Sequence, residues 1–334
     1  MRTDQALAAG TKLRGGHYKV TGTLGAGGFG IVYRAATRRG KSVAIKELFP
    51  DKARRQSVLG LWTRKAVKPT PGWADLERQA RDEFRTVRTL KHRNIVRVIE
   101  LFGENGTLYL VMELLDGETL HDRLCHKPDG LSEDEAVRIA ASLADALAYA
   151  HSKGVLHRDV KPGNVMLTKA GRPVLVDFGL ARAVKAHAAH CQSGTDAYMA
   201  PEQAEGRAQT WATDVYSLAA TVYHMLTGCP PASAVDRVRA DHLVPPAAEH
   251  PGVSETVSAA VTRALALDPA ERTPTARAFL AELGVVQQFT LVPRPANEGR
   301  WAWTRGLLIV AGLALAAGVW QGCPAPRPVP ALSR

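Results

Sequence analysis

Strand-like alternation is confined to the first third of this 334-residue chain, and helical periodicity takes over after it. His17–Leu24 (HYKVTGTL), Phe29–Ala36 (FGIVYRAA) and Ser42–Leu48 (SVAIKEL) alternate apolar and polar residues and are broken by glycines. Strand signals return at Ile95–Phe102 and Leu108–Leu114. One helix interrupts them: from Asp75, the expected N-cap, Leu76, Ala80, Phe84, Val87 and Leu90 recur on one face. Beyond Ser132 the chain is mostly helical, and Ser132-Glu-Asp-Glu135 predicts a capping box before AVRIAASLADALAYAHSKG. Strands first and helices after predict an α+β, bilobal fold: a small β-rich lobe with one main helix, joined to a larger α-helical lobe.

Hydrophobic residues make up 46% of the chain and charged residues 22%, ordinary values that exclude wholesale disorder and a many-span membrane protein. The formal net charge of +11 predicts an anionic partner without choosing among phosphates, nucleic acid and membrane surface. Cys125, Cys191, Cys229 and Cys323 lie far apart with no C-x-x-C pair, which argues against a disulfide framework and for a reducing compartment. No apolar run of signal-peptide type opens the chain, so the folded part is expected in the cytoplasm.

One stretch is apolar enough to enter a bilayer. Gly306–Gly322 (GLLIVAGLALAAGVWQG) has no charge and as a helix spans about 26 Å, against a hydrocarbon core of ~30 Å. Trp301, Trp303 and Trp320 flank it as interfacial aromatics would. Arg300 and Arg305 on its N-terminal side favour a cytoplasmic main domain, an asymmetry weakened by Arg327 and Arg334. The alternative, a buried C-terminal helix, would normally show a polar face, and Leu307–Val319 shows none. Gly312 and Ala316 form a small-x-x-x-small pair that allows a homodimer. The expected organisation is an N-terminal extension (1–15), one large domain (16–284), a juxtamembrane linker (285–304), a transmembrane helix (305–322) and a Pro-rich tail (323–334).

Four motifs inside the main domain carry chemistry. Gly25-Ala-Gly27-Gly-Phe-Gly30-Ile-Val32 lies between two strands, where glycines let backbone N–H groups approach phosphate oxygens. A dinucleotide-binding loop is disfavoured because a strand, not a helix, follows. Lys46 ends the alternating run Val43-Ala44-Ile45, one hairpin beyond Gly30, within reach of phosphates the loop covers. Such a lysine needs a carboxylate to hold it: Glu83 is the candidate and Asp82 its rival. In His157-Arg158-Asp159-Val160-Lys161-Pro162-Gly163-Asn164 the proline makes a loop. There Asp159 can accept a hydroxyl proton, Lys161 can neutralise a migrating phosphoryl group and Asn164 can offer an oxygen to a metal. Asp177-Phe178-Gly179 follows the apolar strand Pro173–Val176, and a carboxylate at a strand end is well placed to hold Mg²⁺ between phosphates.

With these motifs in this order, the chain resembles the eukaryotic-like (Hanks-type) serine/threonine protein kinase family over about 270 residues, a signature set whose mechanics are general knowledge. Ala200-Pro201-Glu202 is similar to the end of an activation segment, Asp214–Leu218 to the buried helix whose aspartate braces the catalytic loop, and Arg272 to the arginine that pairs with Glu202. Lys161 resembles the serine/threonine class, and the KPGN and YMAPEQ wording with a C-terminal span resembles bacterial membrane-anchored members.

The resemblance implies ATP and Mg²⁺ (or Mn²⁺) as cofactors and protein Ser/Thr hydroxyls as acceptors. It implies Gly25, Gly27 and Gly30 over the triphosphate, Val32 and Ala44 above the adenine and Met166 below it. Backbone groups of Glu113 and Leu115 would face the purine. Lys46 would hold the α- and β-phosphates with Glu83 holding Lys46, Asn164 and Asp177 would hold the metal, and Asp159 would be the catalytic base beside Lys161. Thr195 would sit against Asp159 and Lys161. The family further implies a bacterial signalling role, at the cell membrane with the kinase domain cytoplasmic.

Some features depart from the pattern or stand outside it. Leu180–Met199 has hydroxyls only at Ser193, Thr195 and Tyr198, so autophosphorylation there, with Arg158 receiving the phosphate, is an open expectation. His187, His190 and Cys191 lack a fourth zinc ligand. Phe49–Trp73 lengthens the path from Lys46 to Glu83 and holds six Lys or Arg against one acid, Asp51, as a solvated loop or a lipid contact. No nucleic-acid reader motif accompanies the charge. A non-catalytic scaffold is disfavoured because Lys46, Asp159 and Asp177 are all present, and a small-molecule kinase because the activation segment reaches Ala200-Pro201-Glu202.

Overall fold

The structure, a computed structural model, describes residues 5–27, 30–48, 73–178 and 196–285. Strands β1 (Lys12–Leu13), β2 (Tyr18–Gly27), β3 (Gly30–Thr37), β4 (Ser42–Leu48), β5 (Val98–Glu104) and β6 (Thr107–Glu113) form one antiparallel sheet in the order β1-β2-β3-β4-β6-β5. The strands expected from alternation are present; β1 has no sequence signal because two residues cannot display a period.

Period-2 packing gives the sheet two buried faces. Ala44, Leu110 and Met112 face the main core, whereas Leu13, Ile31, Tyr33, Ile45 and Val111 build a second core on the other side, under Ala6 and Leu7. The Gly10 N–H donates to Val20 O at 2.8 Å, and the Val20 N–H to Thr11 O at 2.9 Å. The segment before Gly16, expected as an extension outside the domain, is therefore part of the small lobe. Its leucine at 13 is wholly buried and closes the outer core.

Helix α1 (Trp73–Val87) begins two residues ahead of Asp75, which sits in the first turn, where a carboxylate meets the positive helix end, rather than at the N-cap. Ala80, Val87 and the following Leu90 are buried, and Phe84 is partly so, matching the expected face.

The larger lobe holds helices α2 (Leu120–Cys125), α3 (Glu133–Ser152), α4 (Pro201–Ala204), α5 (Trp211–Thr227), α6 (Ala234–Arg239), α7 (Pro246–Glu249), α8 (Glu255–Ala264) and α9 (Ala276–Glu282). A small sheet of β7 (Gly117–Thr119), β8 (Val165–Thr168) and β9 (Pro173–Leu175) lies at the junction. Helix α3 packs on α5 and α9. Every residue of α5 from Ala212 to Leu226 is buried, which makes it the axis of the lobe. It stops at Gly228, whose φ of +74° is left-handed and where a Cβ would lie 1.9 Å from Pro128 O, so only glycine fits.

At the start of α3, Ser132 Oγ accepts from the Glu135 N–H, as a capping box requires. Glu135 does not complete the box: it accepts from Arg123 at 3.2 Å, a charged partner worth more than the backbone amide. Among the described residues no helix is long and apolar enough to cross a membrane. The 305–322 stretch, the basic 49–72 segment, and Gly179, His187, His190, Cys191, Ser193, Thr195 and Cys323 lie outside the described residues. Cys125 is exposed, with its Sγ 3.6 Å from His121 Nε2, and Cys229 is half-buried.

Candidate active site

The loop between α3 and β8 is shaped from below by one carboxylate. Asp214, buried on α5, accepts the His157 N–H at 2.8 Å on Oδ2 and the Arg158 N–H at 2.7 Å on Oδ1. His151, which sequence reasoning missed, touches the same Oδ2 at 2.8 Å and stacks on Trp211. Arg158 itself has φ +66°, a left-handed backbone uncommon for a side-chain-bearing residue and held here by its bonded N–H.

His157 completes the frame as a neutral imidazole. Burial holds its pKa below the usual histidine value, against the pull of the Asp214 and Asp159 charges. Nε2–H then donates to Val176 O at 3.0 Å, and Nδ1 accepts the Asp159 N–H at 3.2 Å. A protonated ring could not accept that second bond. Phe178 lays its ring against His157 at 4.4 Å.

Above this frame the polar groups converge. Asn164 Nδ2 donates to Asp159 O at 2.7 Å and to Asp159 Oδ2 at 2.9 Å, and Lys161 Nζ lies 3.3 Å from the same carboxylate oxygen. The Val176 N–H donates to Asn164 O at 2.9 Å, so the loop is bonded to the strand end that carries Asp177. Asp177, with φ +63°, receives Lys46 Nζ at 2.7 Å on Oδ2. Lys46 reaches it from β4, where the register sets Lys46 beside Val32 and Leu110.

One expected contact is replaced. Lys46 pairs with Asp177, and Glu83 pairs instead with Arg158 at 3.4 Å. The physical reason is the choice of nearest partner: helix α1 brings Glu83 to the loop arginine, and the lysine meets the Asp177 carboxylate. Asp82, the rival, lies outward and pairs with Arg85.

The remaining expected positions lie on the small-lobe sheet and at the junction of the two lobes. Gly25, Gly27 and Gly30 lie on the β2–β3 hairpin, with Gly27 opposite Gly30 in the last register pair. Ala44 and Met166 belong to the main core with Met112, and Val32 and Leu115 pack against it. The Glu113 N–H donates to Arg97 O at 3.0 Å, and its carboxylate accepts from the Arg97 N–H at 2.8 Å.

Beside the loop, the segment after residue 195 is clamped onto α5. Glu202 accepts Arg272 at 2.9 Å and Thr213 Oγ1 at 2.7 Å, both buried. Burial opposes ionisation of Glu202, but the bonds from Arg272 and Thr213 outweigh it and hold the carboxyl below its usual value. Gln203 Nε2 donates to Arg158 O at 2.9 Å, tying α4 to the loop. The Tyr198 hydroxyl donates to His224 Nδ1 at 2.6 Å, and burial, aided by nearby His121, lowers His224 to about 4.

A further polar node escaped the sequence. Glu47, wholly buried next to Lys46 on β4, points into the outer core, where it accepts the hydroxyls of Tyr33 and Tyr109, each at 2.7 Å. Tyr33 in turn accepts the Leu7 N–H at 3.1 Å. The period-2 pattern was the available signal, since it puts Glu47 on the face of Val43 and Ile45.

A glycine-rich hairpin, a strand lysine and two loop carboxylates meeting between a β lobe and a helical lobe define a kinase class of fold. Residues 18–282 match the family model described as protein kinase domain, and the chain belongs to that family. It is 34% identical over 283 residues to serine/threonine-protein kinase PknB of Mycobacterium leprae, covering 80% of this chain and 42% of that one. With serine/threonine-protein kinase PkaA of Streptomyces coelicolor it shares 35% over 295 residues, 82% of this chain and 50% of the other. The chain thus spans half or less of the length of these curated relatives. Among solved structures, PpkA-294 in its apo form superposes with a TM-score of 0.71 at 28% identity, covering 84% of this chain and 99% of that one. The Mycobacterium tuberculosis PknI kinase domain gives 0.65 at 27%, covering 84% and 98%.

Proposed function

We propose that this chain is a serine/threonine protein kinase that transfers the γ-phosphoryl group of ATP to Ser or Thr hydroxyls of proteins. The observation that carries the reading is the cluster of Asp159, Lys161 and Asn164 bonded through Val176 to the strand end where Asp177 meets Lys46. The donor set fits a hard divalent cation: a carboxylate from Asp177 and an amide oxygen from Asn164, whose Nδ2 is committed to Asp159. Mg²⁺ (or Mn²⁺) bound there would neutralise phosphate charge. Lys46 binds the α- and β-phosphates, the Gly25–Gly30 hairpin covers them, and the Glu113 carbonyl and Leu115 N–H face the purine between Val32, Ala44 and Met166. Asp159 orients the acceptor hydroxyl and takes its proton, and Lys161 steadies the transferred group. Positioning and electrostatics, not covalent catalysis, supply the rate.

The test is transfer of label from γ-labelled ATP to a basic acceptor protein by the full chain, wild type beside Asp159→Asn. Label on Ser or Thr that disappears in Asp159→Asn is expected. No transfer by a wild type that ATP stabilises thermally would point instead to a binding scaffold.

The same reading extends to location. The uncharged Gly306–Gly322 stretch with its flanking tryptophans supports a single-pass anchor that keeps the kinase domain on the cytoplasmic side, and Gly312 with Ala316 supports pairing of two such helices. Release of the chain from membranes by alkaline carbonate would overturn the anchor.

A further inference from the structure

Between Gln5 and Ile45 the chain has no Asp or Glu, and its cations gather at one end of the sheet. Arg38 donates to Gly15 O at 2.7 Å and to Gly16 O at 3.2 Å, which stitches the turn before β2 to the β3–β4 turn. His17, Arg38, Arg39 and Lys41 are thereby brought to neighbouring turn tips, all exposed. On the adjoining strands Lys12 stands directly opposite Lys19, and Lys19 opposite Ala36, two residues from Arg34 on the same face. Like charges directly opposed across strands are destabilising. Even so, Lys12, Lys19, Arg34, Arg39 and Lys41 have no carboxylate partner among the described residues. Arg14 is the contrast, its side chain bound to Glu100 and its N–H to Glu104.

We propose that this end of the small lobe docks on an anionic lipid surface, an inference that rests on the membrane anchoring proposed above. The cations are spread over a strand face and two turns rather than converging on one point, which suits a field of headgroups rather than a single phosphate. Nucleic acid fits less well, because the aromatics at this end, Tyr18 and Tyr33, are buried in the outer core and offer no stacking surface. Anchoring would bring the lobe repeatedly to the headgroups, and the attraction would act only within a Debye length of them, about 8–10 Å.

The experiment uses the full chain in vesicles of phosphatidylcholine alone or with phosphatidylglycerol. Amine-reactive labelling is read by mass spectrometry at Lys12, Lys19 and Lys41, with Lys153 and Lys169 as large-lobe controls. The expected result is protection of the first three only in anionic vesicles, lost at high salt. In Lys12→Glu/Lys19→Glu, protection of Lys41 should weaken on the order of tenfold. Equal labelling in both vesicles overturns the proposal, as does protection by an RNA oligonucleotide with none by lipid. If carbonate releases the chain, the anchor fails by itself. Salt-reversible sedimentation of the chain with anionic vesicles, abolished in Lys12→Glu/Lys19→Glu, then still supports docking, and its absence overturns it.

Discussion

Lys46 and Asp177 hold each other at 2.7 Å, strand β4 of the small lobe reaching the segment after β9 of the large one. Glu83 and Arg158 make a second crossing at 3.4 Å. Four charges that a single-lobe pairing of Lys46 with Glu83 would leave half-matched are thus matched across the cleft.

This pairing has a thermodynamic signature. Glu83 and Arg158 are each about a quarter exposed, so solvent screening limits their coupling to about 0.5–1 kcal/mol. A double-mutant cycle on Glu83→Gln and Arg158→Gln, read by urea unfolding, should return that value, and the cycle on Glu83→Gln and Lys46→Met a value near zero. The opposite ranking would show that Glu83 belongs to Lys46.

The Glu202–Arg272 pair is fully buried, and removing one partner strands a charge. Arg272→Met should cost about 3–5 kcal/mol in unfolding experiments. Because the folded pKa of Glu202 is depressed, its contribution is complete above the unfolded value of about 4.3 and is lost as pH falls through the folded one. Glu202→Gln should be less stable at neutral pH and show a flatter acid limb in a plot of Tm against pH.

His224 acts at higher pH. Its pKa of about 4 in the fold lies below the unfolded value of about 6.5, so the unfolded chain takes the proton first and stability falls from pH 6.5 down to 4. The full loss is about 3 kcal/mol. In His224→Gln, which keeps an acceptor for Tyr198, that decline should shrink; an unchanged decline would assign the acid sensitivity elsewhere.

Glu47 faces the outer core and joins β3, β4 and β6 through two phenols. Glu47→Leu leaves the Tyr33 and Tyr109 hydroxyls short of their shared acceptor and should destabilise by about 2–4 kcal/mol. Glu47→Gln, which keeps an oxygen, should cost less than half of that; equal losses would mean that the charge, not the acceptor, matters.

What could be read from the sequence was what is local. The loop His157–Asn164, the strand end at Asp177 and the lysine of β4 are each set by a short run of residues and its flanking pattern, and they came together as expected. The Glu202–Arg272 pair was legible only through family likeness, since 70 residues separate its members. The partner of Glu83 was not legible, because it depends on where a whole helix rests, which no spacing encodes. The covering of the outer sheet face by Ala6, Leu7 and Leu13 was hidden because those residues follow neither helical nor strand period.

The brace under the catalytic loop has a wider consequence. Asp214 sits on a helix with no exposed turn in its middle and fixes the two successive amides of His157 and Arg158. Asp159, Lys161 and Asn164 therefore share a coordinate frame with the rigid interior of the large lobe, while Lys46 and the glycine hairpin belong to another body. Under the kinase reading proposed above, opening of the cleft would change the grip of Lys46 on phosphates more than the Asp214-braced geometry around Asp159, so nucleotide affinity and acceptor alignment could evolve as separate traits.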